Sequence, residues 1–170
     1  MKIGDIFVVS GNSIISKAIQ KTVDSKWTHV ALYVGGGYVL EIDWNTKATL
    51  VKDPYTFGEF EHVVLRSKKP LTANQQVNIT SNACAFNKKG NRYDWLMLIN
   101  LFLKTKFPNA KLLKRLNGKN TFICTELVDE VFRRVGIELF PDKDGVIYPH
   151  DFVACDKLQI VDSEFSRICS

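Results

Sequence analysis

Apolar and polar positions divide this chain into two regimes. In the first, apolar residues come in short runs rich in β-branched and aromatic side chains, the mark of strands. Gly4 to Ser10 (GDIFVVS) reads as a short buried strand. Thr28 to Val34 (THVALYV) and Tyr38 to Trp44 (YVLEIDW) read as two more, joined by Gly35-Gly36-Gly37 as in a hairpin. Ala48 to Val51 and His62 to Arg66 follow, with Pro54 to Gly58 turning between them. Lys157 to Asp162 (KLQIVD) reads as a last strand. One early segment differs: Asn12 or Ser13 caps a helix to about Val23, with Ile14, Ile15, Ala18 and Ile19 on one face.

The second regime has helical spacing. Thr72 to Phe86 carries Val77, Ile79, Ala83 and Phe86, and Trp95 to Leu103 is apolar on nearly all sides. Lys111 to Leu116 is short and basic. In Phe122 to Val135, residues Ile123, Leu127, Val128, Val131, Phe132 and Val135 follow a helical period, and Gly136 stands where a C-cap belongs. Strands gathered early and helices gathered later predict an α+β fold, an antiparallel sheet packed on helices. No linker divides residues 1–170, so one domain is expected, with a helical insert at about 72–118.

Composition narrows the function classes. The chain's 170 residues suffice for one compact core. Its net charge of +5, from 23 basic and 18 acidic side chains, is a mild excess. The basic residues fall in small groups such as Lys68-Lys69 and Arg133-Arg134, without the interleaved aromatics or motif of a nucleic-acid face, so no nucleic acid is expected. A membrane surface is the lesser alternative. The run Trp95 to Leu103, broken by Asn100, is far short of the roughly 20 residues that cross a bilayer. Asp5 interrupts the apolar stretch that an export signal needs, so a cytoplasmic chain is expected, with export by another route left open.

The four cysteines, Cys84, Cys124, Cys155 and Cys169, are scattered. They form neither a C-x-x-C pair nor a clustered metal set, and no metal or cofactor is expected. Cys124 stands apart by position, because it opens an amphipathic helix. A helix N-terminus offers partial positive charge and free N–H groups, which favour a thiolate and can hold an oxyanion. Glu126, two residues on, weighs mildly against this.

Three histidines are candidates for a base. On a strand, His29 shares a face with Ala31 and Tyr33, while Val30, Leu32 and Val34 form a core face. His29 is therefore expected to look towards a different environment, that of the cysteine helix. If Val34 pairs with Tyr38, His29 lies opposite Asp43 and Glu41 is one diagonal step away. A two-residue loop would turn both carboxylates to the other face. His62 follows Glu59 and Glu61 and reads as a surface residue. His150, in the turn-like Tyr148-Pro149-His150-Asp151, ranks second because a loop holds it less rigidly.

Taken in order, these segments resemble the circularly permuted NlpC-like branch of the papain-like peptidases, and especially its YiiX-like members. The resemblance rests on Gly4-Asp5, on Thr28-His29-Val30-Ala31-Leu32-Tyr33-Val34-Gly35 and on Val39-Leu40-Glu41. It continues through Tyr93-Asp94, Cys124-Thr125-Glu126-Leu127-Val128, and Pro149 with Asp151. It implies a sheet or partial barrel against helices, with Cys124 as nucleophile, His29 as base and Glu41 as the group orienting His29. Asp43 is the alternative orienting acid, and Tyr148 is a candidate to line the pocket. The implied activity is amide cleavage through a thioester, on a peptide or small amide of the cell-wall type. Two readings compete: a lipid-directed acyltransferase or thiol esterase of the lecithin–retinol acyltransferase type, and a catalytically silent binding module.

Overall fold

The computed structural model describes residues 1–43, 46–93, 121–141 and 146–163. At its centre is β1 (Ile6–Ser10), all five residues of which are buried. It pairs with β2 (His29–Gly35) on one side and β5 (Glu61–Ser67) on the other. β3 (Tyr38–Glu41) and β4 (Thr49–Lys52) extend the first side, and β8 (Leu158–Ser163) extends the second. The order is β4-β3-β2-β1-β5-β8, and every pairing is antiparallel. A separate parallel pair joins β6 (Arg92–Tyr93) to β7 (Thr121–Phe122).

Both faces of the sheet are covered, which is why β1 is apolar at consecutive positions instead of alternating. Ile6, Val8, Val30, Leu32, Leu40 and Leu65 belong to the larger apolar cluster, with α2 (Ala73–Lys89) and α3 (Cys124–Arg134). Phe7, Val9, Ala31, Val39 and Val64 form the smaller cluster on the opposite face, together with Tyr55. In α3, Leu127, Val128, Val131 and Phe132 are fully buried. Each contributes about 1.5–3 kcal/mol relative to exposure, and together they fix the helix on the sheet.

Local chemistry sets the helix ends. Thr72 and Gln75 exchange side-chain and backbone bonds at the start of α2, and Gly90, at φ 60°, ends it. Ser13 caps α1 (Ile14–Val23) by accepting from the Ser16 N–H. The face expected for the first helix is not buried throughout, since Ile14 is 88% exposed. The stretch expected to be turn-like at Tyr148–Asp151 leads into a short helix, α4 (Pro149–Ala154), with proline at its first position and Asp151 accepting from the Tyr148 N–H at 2.6 Å. The expected helices at Trp95–Leu103 and Lys111–Leu116, and with them most of the expected insert, lie outside the described residues.

Candidate functional site

His29 is the first residue of β2, opposite Val9 of β1. The backbone just before it is tied down: the Thr28 N–H donates to Val9 O at 2.9 Å, and Thr28 Oγ1 accepts from the Gly11 N–H at 2.9 Å. The hairpin combines both registers considered from sequence. Gly35 pairs with Tyr38 around a two-residue turn at Gly36-Gly37, both at positive φ. An irregularity between Tyr33 and Gly35 then restores Tyr33 opposite Val39 and Leu32 opposite Leu40. Counting on, Glu41 falls opposite Ala31 and shares the face of His29.

The two side chains meet there. Glu41 Oε2 lies 3.6 Å from His29 Nε2, an ion-pair contact longer than a hydrogen bond. Cys124 opens α3 and is buried. Its helix packs on the Val30–Leu32 face, not on the face of His29 as expected. Position 29 is at the end of its strand, and Cys124 nevertheless acts on its imidazole. Burial disfavours a charged imidazole, but Cys124 and Glu41 outweigh it and push the His29 pKa up to about 10. Burial also works against a charged Glu41, yet His29, with help from Tyr55, holds its carboxyl below the usual range.

Glu126 bends back to accept from the Ile123 N–H at 3.3 Å. Its carboxylate thus serves the helix start, where a negative charge is favoured.

Sequence reasoning missed Tyr55. Its ring is buried between Phe7 and Phe60 and lies 6.5 Å from the His29 ring, and its hydroxyl donates to Glu41 Oε2 at 2.5 Å. Burial and then the Glu41 carboxylate push its own pKa up. The Pro54–Gly58 turn signal located the loop, but nothing in the sequence links that loop to β3.

The other candidates are placed differently. Asp43 is exposed, in a turn closed by Thr46, and the acid in contact with His29 is Glu41. His62, expected at the surface, is only 2% exposed, since it pairs with Val9 at the sheet centre and its Nδ1 lies 2.8 Å from Phe60 O. The His150 ring stacks on Tyr148, and its Nε2 is 3.7 Å from Asp151. Tyr148 is thus in that stack, and its N–H donates to Asp151. Cys84 is exposed and Cys155 is half-buried, while Cys169 lies outside the described residues. Among the described residues, no group of three or more His, Cys, Asp or Glu side chains is arranged to hold a metal ion.

No family model matches this chain, and no curated protein matches it in sequence. A solved structure does: the metalloprotein yiiX from Escherichia coli O157:H7 aligns over 96% of this chain and 97% of its own, with a TM-score of 0.69 and 20% identity. At that identity the likeness shows the fold, an α+β arrangement shared along nearly the whole chain.

Proposed function

We propose that this chain is a cysteine hydrolase that cleaves an amide bond, built on a papain-like fold in the permuted order. Cys124 is the nucleophile, His29 its acid–base partner and Glu41 the group that orients His29. One observation carries the reading: His29 has a carboxylate 3.6 Å from its Nε2 and is acted on by Cys124, a buried thiol at a helix start. That arrangement supports a nucleophile, base and orienter, roles that geometry assigns and chain order does not.

The Cys124 thiolate attacks the amide carbonyl and forms a C–S bond. N–H groups opening α3 stabilise the oxyanion. The His29 imidazolium protonates the leaving nitrogen as the C–N bond breaks, leaving a thioester. His29, now neutral, takes a proton from water, and the resulting hydroxide equivalent releases the acid and restores the thiolate. The high pKa of His29 keeps the imidazolium ready for the first proton transfer. By its likeness to the permuted family, the substrate is a cell-wall-type peptide or small amide.

The test is iodoacetamide labelling followed by mass spectrometry, alongside turnover of a panel of peptide and isopeptide amides. Labelling of Cys124, with turnover lost in both Cys124→Ala and His29→Ala, is the expected result. Labelling of Cys169 or Cys84 with Cys124 untouched refutes it.

One observation favours a second reading, lipid-directed acyl transfer. Phe57 is 95% exposed and Phe60 46% exposed on the loop that carries Tyr55. Sedimentation with anionic liposomes separates the readings: co-sedimentation lost in Phe57→Ser supports the lipid substrate.

A further inference from the structure

We infer that Tyr55 is a positioning residue for the site, fixing the Glu41 carboxylate against His29 through its hydroxyl. The inference rests on the hydrolase reading and adds a fourth residue to it.

Glu41 ends β3, and a glutamate side chain has several rotatable bonds. Its contact with His29, at 3.6 Å, is too long to hold it. The Tyr55 hydroxyl, at 2.5 Å from the same oxygen, does hold it. The carboxylate's place is thus set from the loop as well as by the imidazole it serves. A group that orients a base must itself be oriented, or the geometry loosens by enough to cost rate.

The loop is built for this. Asp53 accepts from the Tyr55 N–H at 2.8 Å, the Thr56 N–H at 3.1 Å and the Thr56 hydroxyl at 2.5 Å. The Gly58 N–H donates to Tyr55 O at 3.3 Å. A Cβ on Gly58 would come within 2.1 Å of Pro54 O, so the turn admits only glycine there. The Asp53 N–H is anchored to Gly37 O, in the β2–β3 turn. Loop and hairpin are one braced unit, and Phe7 and Phe60 clamp the Tyr55 ring. The charged and titratable groups around the Tyr55–Glu41 contact are His29 from β2, Cys124 from α3 and Asp43 beyond β3.

The test is Tyr55→Phe, which keeps the ring and removes the hydroxyl. Two readouts are followed across pH: iodoacetamide labelling of Cys124 by mass spectrometry, and the ring-nitrogen NMR shifts of His29. The loss of one donor to a carboxylate raises its pKa, so the acid limb of both profiles should move up by about one pH unit. A purely structural tyrosine would not move these limbs. Profiles that superimpose on wild type, while Glu41→Gln displaces them, overturn the inference. Failure of the hydrolase reading has its own signature: labelling of Cys124 is then unchanged in His29→Ala, whatever Tyr55 does. If Tyr55→Phe does not fold, wild type decides. The Tyr55 Cζ resonance should move as the Glu41 carboxyl titrates, and its failure to move overturns the inference.

Discussion

Glu41 reaches His29 because the β2–β3 hairpin corrects its own register. The turn places Gly35 opposite Tyr38, yet Leu32 lies opposite Leu40. The irregularity between Tyr33 and Gly35 absorbs the difference. Without it, every residue of β3 would change face, and Glu41 would enter the larger apolar cluster as an unpaired buried charge.

The two acids near the hairpin should therefore behave differently. Glu41→Gln is expected to lower kcat by on the order of a hundredfold, since His29 loses its charged partner. Asp43→Asn, at an exposed turn, should leave kcat near wild type. Steady-state kinetics on any amide turned over by the wild type checks both, and the reverse pattern would make Asp43 the orienting acid.

Cys124→Ala should abolish turnover, by about a thousandfold or more. The change removes one buried sulfur and little volume, so the fold should persist, with a loss of about 1 kcal/mol or less. Circular dichroism and urea unfolding, run beside the activity assay, separate lost chemistry from lost structure.

Stability should depend on pH through the site. His29 is pushed from 6.5 to about 10, so its contribution is complete below 6.5 and lost as pH rises through 10. Glu41 is held below its ordinary 4.5, so its contribution is present above 4.5 and lost as pH falls through its lower folded value. The pair thus contributes most between 4.5 and 6.5. Urea midpoints should fall on the alkaline side of that window in wild type, and fall less in His29→Gln.

A structural ion pair gives a separate check. Asp5 is fully buried and takes a two-pronged bond from Arg66, with Nε to Oδ1 and Nη2 to Oδ2 both at 2.7 Å. Arg66→Met leaves the buried carboxylate with the Lys2 N–H but no charged partner, and should cost about 3 kcal/mol. Asp5→Asn should cost less, because Arg66 is 30% exposed and can turn to water. Equal losses in urea unfolding would show that solvent exposure of the arginine does not matter.

Much of the fold was legible in the residues themselves. The runs IFVVS, VALYV and VVLR are β-branched and aromatic, and each became a strand. The helical period of Leu127, Val128, Val131 and Phe132 is a property of neighbours a few residues apart, and it placed α3. The same locality marked Cys124 as a helix opener and His29 as a strand opener. Where the reading failed, the deciding partner was distant in sequence. His62 looked exposed from Glu59 and Glu61, but β1 and β5 bury it against Phe7.

The sequence by itself determined most of the described elements, their order and which residue types carry chemistry, because backbone propensity and side-chain period act over a few residues. Only the tertiary structure decided that Glu41 lies 3.6 Å from His29 and that the Tyr55 hydroxyl donates to Glu41. Those contacts depend on strand register and on a loop folding back across the sheet. Both are settled by packing between segments far apart in the chain, which no local pattern records.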